Sequence, residues 1–265
     1  MRLLVCDIDG TLVRHDKSLP DENVAAIRDL VKRGVAVTLI SARPAAGIMP
    51  IARALGLPGP FGAFNGGTIF DAGGRELVAN KVPHTTAKAL NDLYSQPGVT
   101  RWLFAAGEWL TSDPDNSHTA REVLSSGLQP RAAGDFSPWL NTVDKLVAVC
   151  DDDPVMDRIE AEAFDLAGVT ATVVRSQDYY LDATAPQANK GEGVTRLAEL
   201  YAVPLEQVAV IGDQANDIAM FRRAGLAIAM GQARPEVQAA ASQVAASNED
   251  AGVADAIARY IIPTL

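Results

Sequence analysis

The chain has little of what marks disulfide-built, zinc-binding or nucleic-acid proteins. Among 265 residues there are two cysteines, Cys6 and Cys150, each closing an apolar strand-like run. They read as small core residues of a reduced, cytoplasmic protein, not as a disulfide. The three histidines, His15, His84 and His118, are scattered without zinc-ligand spacing, so a metal here would be held by oxygen. Basic residues are outnumbered, 23 Lys and Arg against 33 Asp and Glu, for a formal net charge of −10. That balance argues against a nucleic-acid surface and against docking on an anionic membrane. No apolar run approaches the length that spans a bilayer, and the single Arg and short Leu3–Cys6 run before Asp7 do not make a signal peptide. What is present, 48% apolar and 21% charged residues, suits a soluble globular chain of one large or two ordinary domains.

The most informative stretch is Leu3-Leu4-Val5-Cys6-Asp7-Ile8-Asp9-Gly10-Thr11. An apolar strand runs straight into acid, apolar residue, acid, Gly and Thr. Unpaired buried charges cost several kcal/mol, so the acids belong at the carboxyl end of the strand, where open α/β sheets bind ligands. Such a pair can supply a nucleophile and a proton donor, or hold a hard cation. A plain strand-to-loop turn uses the same residue types. An EF-hand loop does not fit, because its sixth position would be Leu12 and its twelfth Ser18.

Two kinds of segment follow. Over about residues 1–82 and 187–265, apolar strands (Leu3–Cys6, Val35–Ile40, Phe61–Phe64, Val208–Ile211, Leu226–Ala229) alternate with helices (Asp21–Arg33, Pro44–Leu55, Gly191–Tyr201, Asn216–Ala224). Their near-continuous apolar character predicts a doubly wound parallel sheet covered on both faces, with Pro50 marking a possible kink. Residues 83–186 read differently. Half-exposed alternation in Arg101–Ala105 and Glu108–Ser112 about Gly107, then Lys145–Cys150, a helix Pro154–Ala167, and strands Thr170–Val174 and Tyr180–Ala183 predict an inserted α+β module.

Three further sites carry polar groups at element ends. Ser41-Ala42-Arg43-Pro44 precedes a helix start, which favours anions, although Ser there also fits a simple cap. Asn189-Lys190-Gly191 opens a second helix, where Lys190 can meet an anion or stay solvated. Val208–Ile211 runs into Gly212-Asp213-Gln214-Ala215-Asn216-Asp217, again an apolar strand into glycine and acids. Asn216 also suits a helix cap, and Asp217 suits a helix first turn.

Taken in order, these four groups resemble the motifs of the haloacid dehalogenase superfamily of phosphotransferases along the whole chain. Asp7-Ile8-Asp9-Gly10-Thr11 resembles its first motif, Ser41 its second, Lys190 its third, and Gly212-Asp213 through Asn216-Asp217 its fourth. Phe64-Asn65-Gly66-Gly67 and Asn189-Lys190-Gly191 are similar to the Cof-type, subclass IIB, sugar-phosphate phosphatases. One departure is Ala42, where the second motif usually carries Gly. The resemblance implies a Rossmann-like α/β core with an inserted α+β cap that reads the substrate. It implies Asp7 as nucleophile, Asp9 as acid and base, and Mg²⁺ on the Asp7 side chain, the Asp9 carbonyl and Asp213. Asp217 would orient Lys190 or a metal-bound water. Ser41, Lys190, Asn216 and the backbone amides of Gly10 and Thr11 would hold phosphate, with Arg43 and Asn65 reading the substrate. The expected partner is a small phosphorylated metabolite, for a monomer or small homo-oligomer. A phosphomutase shares every core motif. A phospho-accepting receiver is too short and lacks the insert, and a non-catalytic phosphate-binding protein would keep idle buried acids at a cost. In the insert, Arg101, Trp102, Trp109 and Arg175 are candidate contacts.

Overall fold

Strand β1 (Leu3–Cys6) is buried along its whole length, which only a strand covered on both faces allows. In the computed structural model, which describes residues 1–265, the chain then runs through α1 (Asp21–Lys32), β2 (Ala36–Leu39), α2 (Ala45–Leu55), β3 (Phe61–Ala63), β4 (Thr68–Phe70) and β5 (Glu76–Ala79). Next come α3 (His84–Tyr94), β6 (Thr100–Ala105), β7 (Glu108–Thr111), α4 (Thr119–Ser126), β8 (Pro130–Ala132), β9 (Val143–Val149), α5 (Asp153–Ala167), β10 (Thr172–Gln177) and β11 (Tyr180–Thr184). It ends with α6 (Lys190–Leu200), β12 (Val208–Gly212), α7 (Ile218–Phe221), β13 (Leu226–Ala229), α8 (Pro235–Ala240), β14 (Gln243–Val244) and α9 (Gly252–Ala256). Two units result: residues 1–42, 48–77 and 189–265 form the first, and residues 43–47 and 78–188 the second.

The first unit is built on a parallel sheet in the order β14-β13-β12-β1-β2. From β1 the chain moves outward on one side to β2 and later returns on the other side to β12. The carboxyl end of β1 therefore lies at a reversal of strand order, the position where such sheets bind ligands. Cys6 is level with Ile211 and with Leu39, so the residues that follow β1, β12 and β2 emerge at one end. Two expectations are corrected here. Phe61–Ala63 is a strand, but it pairs antiparallel with β4, Phe61 opposite Phe70, and meets the parallel sheet only through an Ile40–Gly62 bridge. The expected helix Asn216–Ala224 is a 3₁₀ turn at Ala215–Asp217 followed by the single turn of α7. Helix α2 continues through Pro50.

In the second unit six strands lie in the order β10-β11-β9-β6-β7-β8, antiparallel except for β7 beside β8. The β6–β7 turn uses Ala106 and Gly107, both at positive φ (52° and 78°), the backbone that matches hairpin twist. Leu103, Leu110, Leu146, Ala148, Leu181 and Ala183 face one way and bury against Leu90 and Tyr94 of α3 and Met156, Ile159 and Ala163 of α5. The alternate residues form an aromatic and ionic face. Trp102 and Trp109 meet edge-on at 5.0 Å between centroids. The Lys145 ammonium lies 4.8 Å from the Phe104 ring centre and 3.2 Å from Asp182 Oδ1. Burial opposes the Lys145 charge, but Asp182 and Glu122 outweigh it and hold that ammonium above its usual range.

Replacing Leu146 with Ala removes a fully buried side chain from the middle of this second core. The expected cost is about 2–5 kcal/mol, the range for truncating a packed leucine. It is read as a lower urea midpoint for the transition that includes the second unit.

Candidate active site

Asp7 follows β1 directly, and its amide donates to the Ile211 carbonyl at 3.0 Å, extending the β1–β12 pairing by one residue. Its side chain is 5% exposed, and Oδ1 accepts from Lys190 Nζ at 2.7 Å. The same ammonium reaches Asp217 Oδ1 at 2.6 Å, so one buried lysine bridges acids from two motifs. Lys190 is the first residue of α6, placed by the cap in which Asn189 Oδ1 accepts from the Glu192 amide at 3.0 Å. At 2% exposure Lys190 is not the solvated side chain that a lone surface lysine would be. Asp217 Oδ2 accepts from the Asp213 and Gln214 amides, both at 2.8 Å, which closes a capping box on the turn after β12. Asp213 is gripped in turn, Oδ1 by the Thr11 hydroxyl and Oδ2 by the Gln214 side-chain Nε2, each at 2.8 Å.

These bonds draw Asp7, Thr11, Lys190, Asp213 and Asp217 into one buried cluster. Ligand oxygens of Asp7, Asp213 and Asp217 all lie within 4.8 Å of one another, a group that can hold a metal ion. Asp217 spends its oxygens on Lys190 and two backbone amides, Asp213 on Thr11 and Gln214, and Asp7 one oxygen on Lys190. The donor set fits a hard cation. Three carboxylates share one ammonium, and burial above all holds the Asp7 carboxyl well above its usual range; Lys190 pulls it down while Asp217 and Asp213 push it further up. Burial, with Asp217, also raises Asp213. The close fit extends to the backbone. A Cβ on Gly10 would stand 2.3 Å from Asp213 Oδ2, and one on Gly212 would stand 2.3 Å from Asp217 Cγ.

The other expected residues are placed as follows. Ser41 is buried just beyond β2, with its amide on the Gly62 carbonyl at 2.9 Å and its carbonyl accepting from Asn65 at 2.7 Å. Asn65 is left-handed (φ 57°), and its side-chain oxygen accepts from Asn216 Nδ2 at 3.2 Å, which ties the loop after β3 to the turn after β12. Asn216 is exposed and is not the cap of α7. Gly10 turns with φ 78°. In place of the expected amide contact to phosphate, the Thr11 amide is turned to the Ile8 carbonyl at 3.3 Å, so Thr11 enters the cluster through its hydroxyl. Asp9 pairs with Lys17 at 2.7 Å. Arg43 belongs to the second unit, buried with Nη1 on the Gly47 carbonyl at 3.2 Å. Among the candidates in the insert, Arg101 is held by Asn91 and by the Phe136 ring. Arg175 pairs with Asp153 and Asp157, while Trp102 and Trp109 are buried. Sequence reading missed Gln214, because Gln is not among the residues favoured at an N-cap and Gln-x-x-Asp is not the usual capping-box pattern. It also missed Lys17, for which the sequence carries no signal.

A family model described as haloacid dehalogenase-like hydrolase matches residues 4–257. The chain belongs to that family. This haloacid dehalogenase-like hydrolase is 26% identical to the 5-amino-6-(5-phospho-D-ribitylamino)uracil phosphatase YcsE of Bacillus subtilis over 99% of this chain and 96% of that one. Phosphatase YwpJ of the same organism is also 26% identical, over 96% and 98% of the two chains. A haloacid dehalogenase-like hydrolase from Bacteroides thetaiotaomicron superposes with a TM-score of 0.90 at 27% identity, covering 97% of this chain and 98% of that one. A subclass IIB sugar phosphatase shares the fold, with a TM-score of 0.82 at 23% identity over 99% and 100% of the chains. The Cof-type resemblance of the motifs agrees with these matches, and the chain is an enzyme, a phosphoric monoester hydrolase. No helix is long and apolar enough to cross a membrane.

Substituting Lys190 with Met removes the ammonium between Asp7 and Asp217. Losing one partner of a buried pair costs about 3–5 kcal/mol at neutral pH. The native Asp7 carboxyl already binds its proton more tightly than an unfolded one, and without Lys190 it binds it tighter still. Native protein then takes up more protons than unfolded protein as pH falls below neutrality, so acid narrows the deficit. Denaturation at pH 7.5 and pH 5.5 is expected to show the larger gap from the parent at pH 7.5.

Proposed function

We propose that the chain is a Mg²⁺-dependent phosphatase that hydrolyses small phosphorylated metabolites through an aspartyl-phosphate on Asp7. The observation that carries this reading is the buried Asp7–Lys190–Asp217 bridge beside Asp213. It holds a carboxylate ready to attack while leaving negative charge that one lysine does not balance. Phosphate monoesters hydrolyse so slowly unaided that enzymes accelerate the reaction by up to about 10²¹. Most of that gain comes from positioning and from neutralising charge on the transferring group. Mg²⁺, held by the Asp7 carboxylate, the Asp9 carbonyl and Asp213, would supply that neutralisation and bind a phosphate oxygen.

Asp7 attacks phosphorus and takes the phosphoryl group, which splits one hard step into two. Asp9 gives a proton to the departing oxygen and then takes one from the water that hydrolyses the phosphoenzyme. Ser41 and Lys190 hold the phosphoryl oxygens, with the Gly10 amide and Asn216 at the substrate phosphate. Thr11 and Gln214 fix Asp213 for the ion, and Asp217 keeps Lys190 charged and in place. Residues 83–186 act as a cap that closes over substrate, excludes water and reads the leaving group. Arg43 and Asn65 read the substrate from the loops that follow β2 and β3. The small-metabolite class is supported by the first relative, which is by name a phosphatase of a phosphoribityl compound.

The test is a panel of phosphorylated sugars, nucleotides and vitamin phosphates assayed for phosphate release without any bisphosphate activator. Release is expected with Mg²⁺ and background only with EDTA; full activity in EDTA would remove the ion. Asp7→Asn is expected to abolish release while unfolding as the parent does, and comparable turnover by it would remove Asp7 as nucleophile. Isomer interconversion in place of release would make the enzyme a mutase. Because burial holds the Asp7 and Asp213 carboxyls above the usual carboxylate range, protons compete with an ion for these oxygens increasingly as pH falls. Added Mg²⁺ is therefore expected to raise the melting temperature at pH 7.5 by more than at pH 5.5.

A further inference from the structure

The segment that carries Asp9 away from Asp7 is a tight coil. The amides of Thr11, Leu12 and Val13 all turn to one acceptor, the Ile8 carbonyl, at 3.3, 2.9 and 3.1 Å. A short parallel bridge between Asp9 and Val13 closes the coil, and three of its carbonyls accept from side-chain carboxamides. Gln232 Nε2 donates to the Gly10 carbonyl at 2.6 Å, Asn23 Nδ2 to that of Leu12 at 3.0 Å, and Asn248 Nδ2 to that of Val13 at 3.0 Å. The donors come from α1, the loop after β13 and the 3₁₀ turn after β14, and Asn248 lies 235 residues from its acceptor.

Two of the three, Asn23 and Gln232, also link the coil to the rest of the unit. Asn23 Oδ1 accepts from the Ala254 amide and Gln232 Oε1 from the Asn248 amide, both at 3.0 Å. A carboxamide offers a donor and an acceptor on one short planar group. A carboxylate would keep the acceptor and lose the donor, and an aliphatic side chain would lose both. Glu249, next to Asn248, grips the following residues, with Oε1 on the His15 amide at 2.8 Å. The clamp has little room to relax, because a Cβ on Gly252 would stand 2.2 Å from the Ala246 carbonyl oxygen. Asn23 and Asn248 are buried, while Gln232 is exposed and touches the coil at the residue after Asp9.

We propose that Gln232 and Asn248 are positioning residues for phosphoryl transfer: through the Gly10 and Val13 carbonyls they hold the coil so that the Asp9 carboxyl stands where the leaving oxygen departs. The inference rests on the reading of Asp9 as proton donor given above. A displacement of about 1 Å in a catalytic group can cost about 10²-fold in rate, so a lost anchor one residue from Asp9 is felt in the chemistry. Its signature differs from that of instability. Proton donation matters for an alkoxide leaving group and little for p-nitrophenolate, which departs without a proton.

The experiment measures kcat/KM of Gln232→Leu and Asn248→Asp, with Mg²⁺ present, on p-nitrophenyl phosphate and on the best alkyl phosphate of the panel. Gln232 is exposed, so its variant is expected to melt with the parent, and it carries the test even if Asn248→Asp unfolds. The expected result is a fall of about tenfold or more on the alkyl phosphate with less than about threefold on the aryl phosphate. Equal falls on both substrates, or no fall on either, for folded Gln232→Leu would overturn the proposal. If the parent protein itself releases no phosphate from either ester, the phosphatase reading fails, and this one with it.

Discussion

The Lys190 ammonium, set between Asp7 and Asp217 at 2.7 and 2.6 Å, is the interaction on which the rest of the site depends. A carboxylate taken out of water protonates unless positive charge is near, and a protonated Asp7 would be a poor nucleophile. Burial opposes the charge on Lys190 too, but Asp217 and Asp7 together outweigh it and keep the ammonium charged far above neutral pH. The bridge does not complete the charge balance. Asp213 adds a third acid, and a divalent ion on Asp7 and Asp213 would remove the excess while leaving Lys190 for the phosphoryl oxygens.

The fold supplies the meeting point cheaply in structural terms. Parallel strands β1, β12 and β2 end level with one another, so short turns after each suffice to bring Asp7, Asp213 and Ser41 to one end of the sheet. Helix α6 contributes its first residue, Lys190, from its own capped start. The acidic overall charge and the binding of an anion are therefore compatible, because the positive charge is local and buried.

Much of this was legible from residue patterns for definite reasons. The acids that follow strand β1 belong at the carboxyl end of a sheet, and the four polar groups recur at element ends in one order. The hairpin about Gly107 and helices α1 and α5 announced themselves through turn residues and periodicity. Strand β3 was misassigned to the parallel sheet because an apolar run of three residues does not say which neighbour it pairs with; Phe61 opposite Phe70 decides that. Helix α7 was overextended: its expected first residues form a 3₁₀ turn, and the helix stops at Phe221, three residues before the expected end. Arg101 and Arg175 looked available for substrate, yet Asn91, Asp153 and Asp157 are remote in sequence and hold them. The carboxamide anchors on the Asp9 coil were invisible for the same reason, since asparagine and glutamine give no sign of which distant carbonyl they meet.

On the proposed mechanism, Asp7, Lys190 and Asp213 serve one phosphoryl group and one ion. A crystal structure of the protein with Mg²⁺ and beryllium fluoride, which mimics a phosphoryl group on an aspartate, tests this directly. The expected map shows the fluoride on the Asp7 carboxylate, the ion held by Asp7 and Asp213, and Lys190 within hydrogen-bond distance of a fluorine. Fluoride or ion bound away from these three side chains would contradict it.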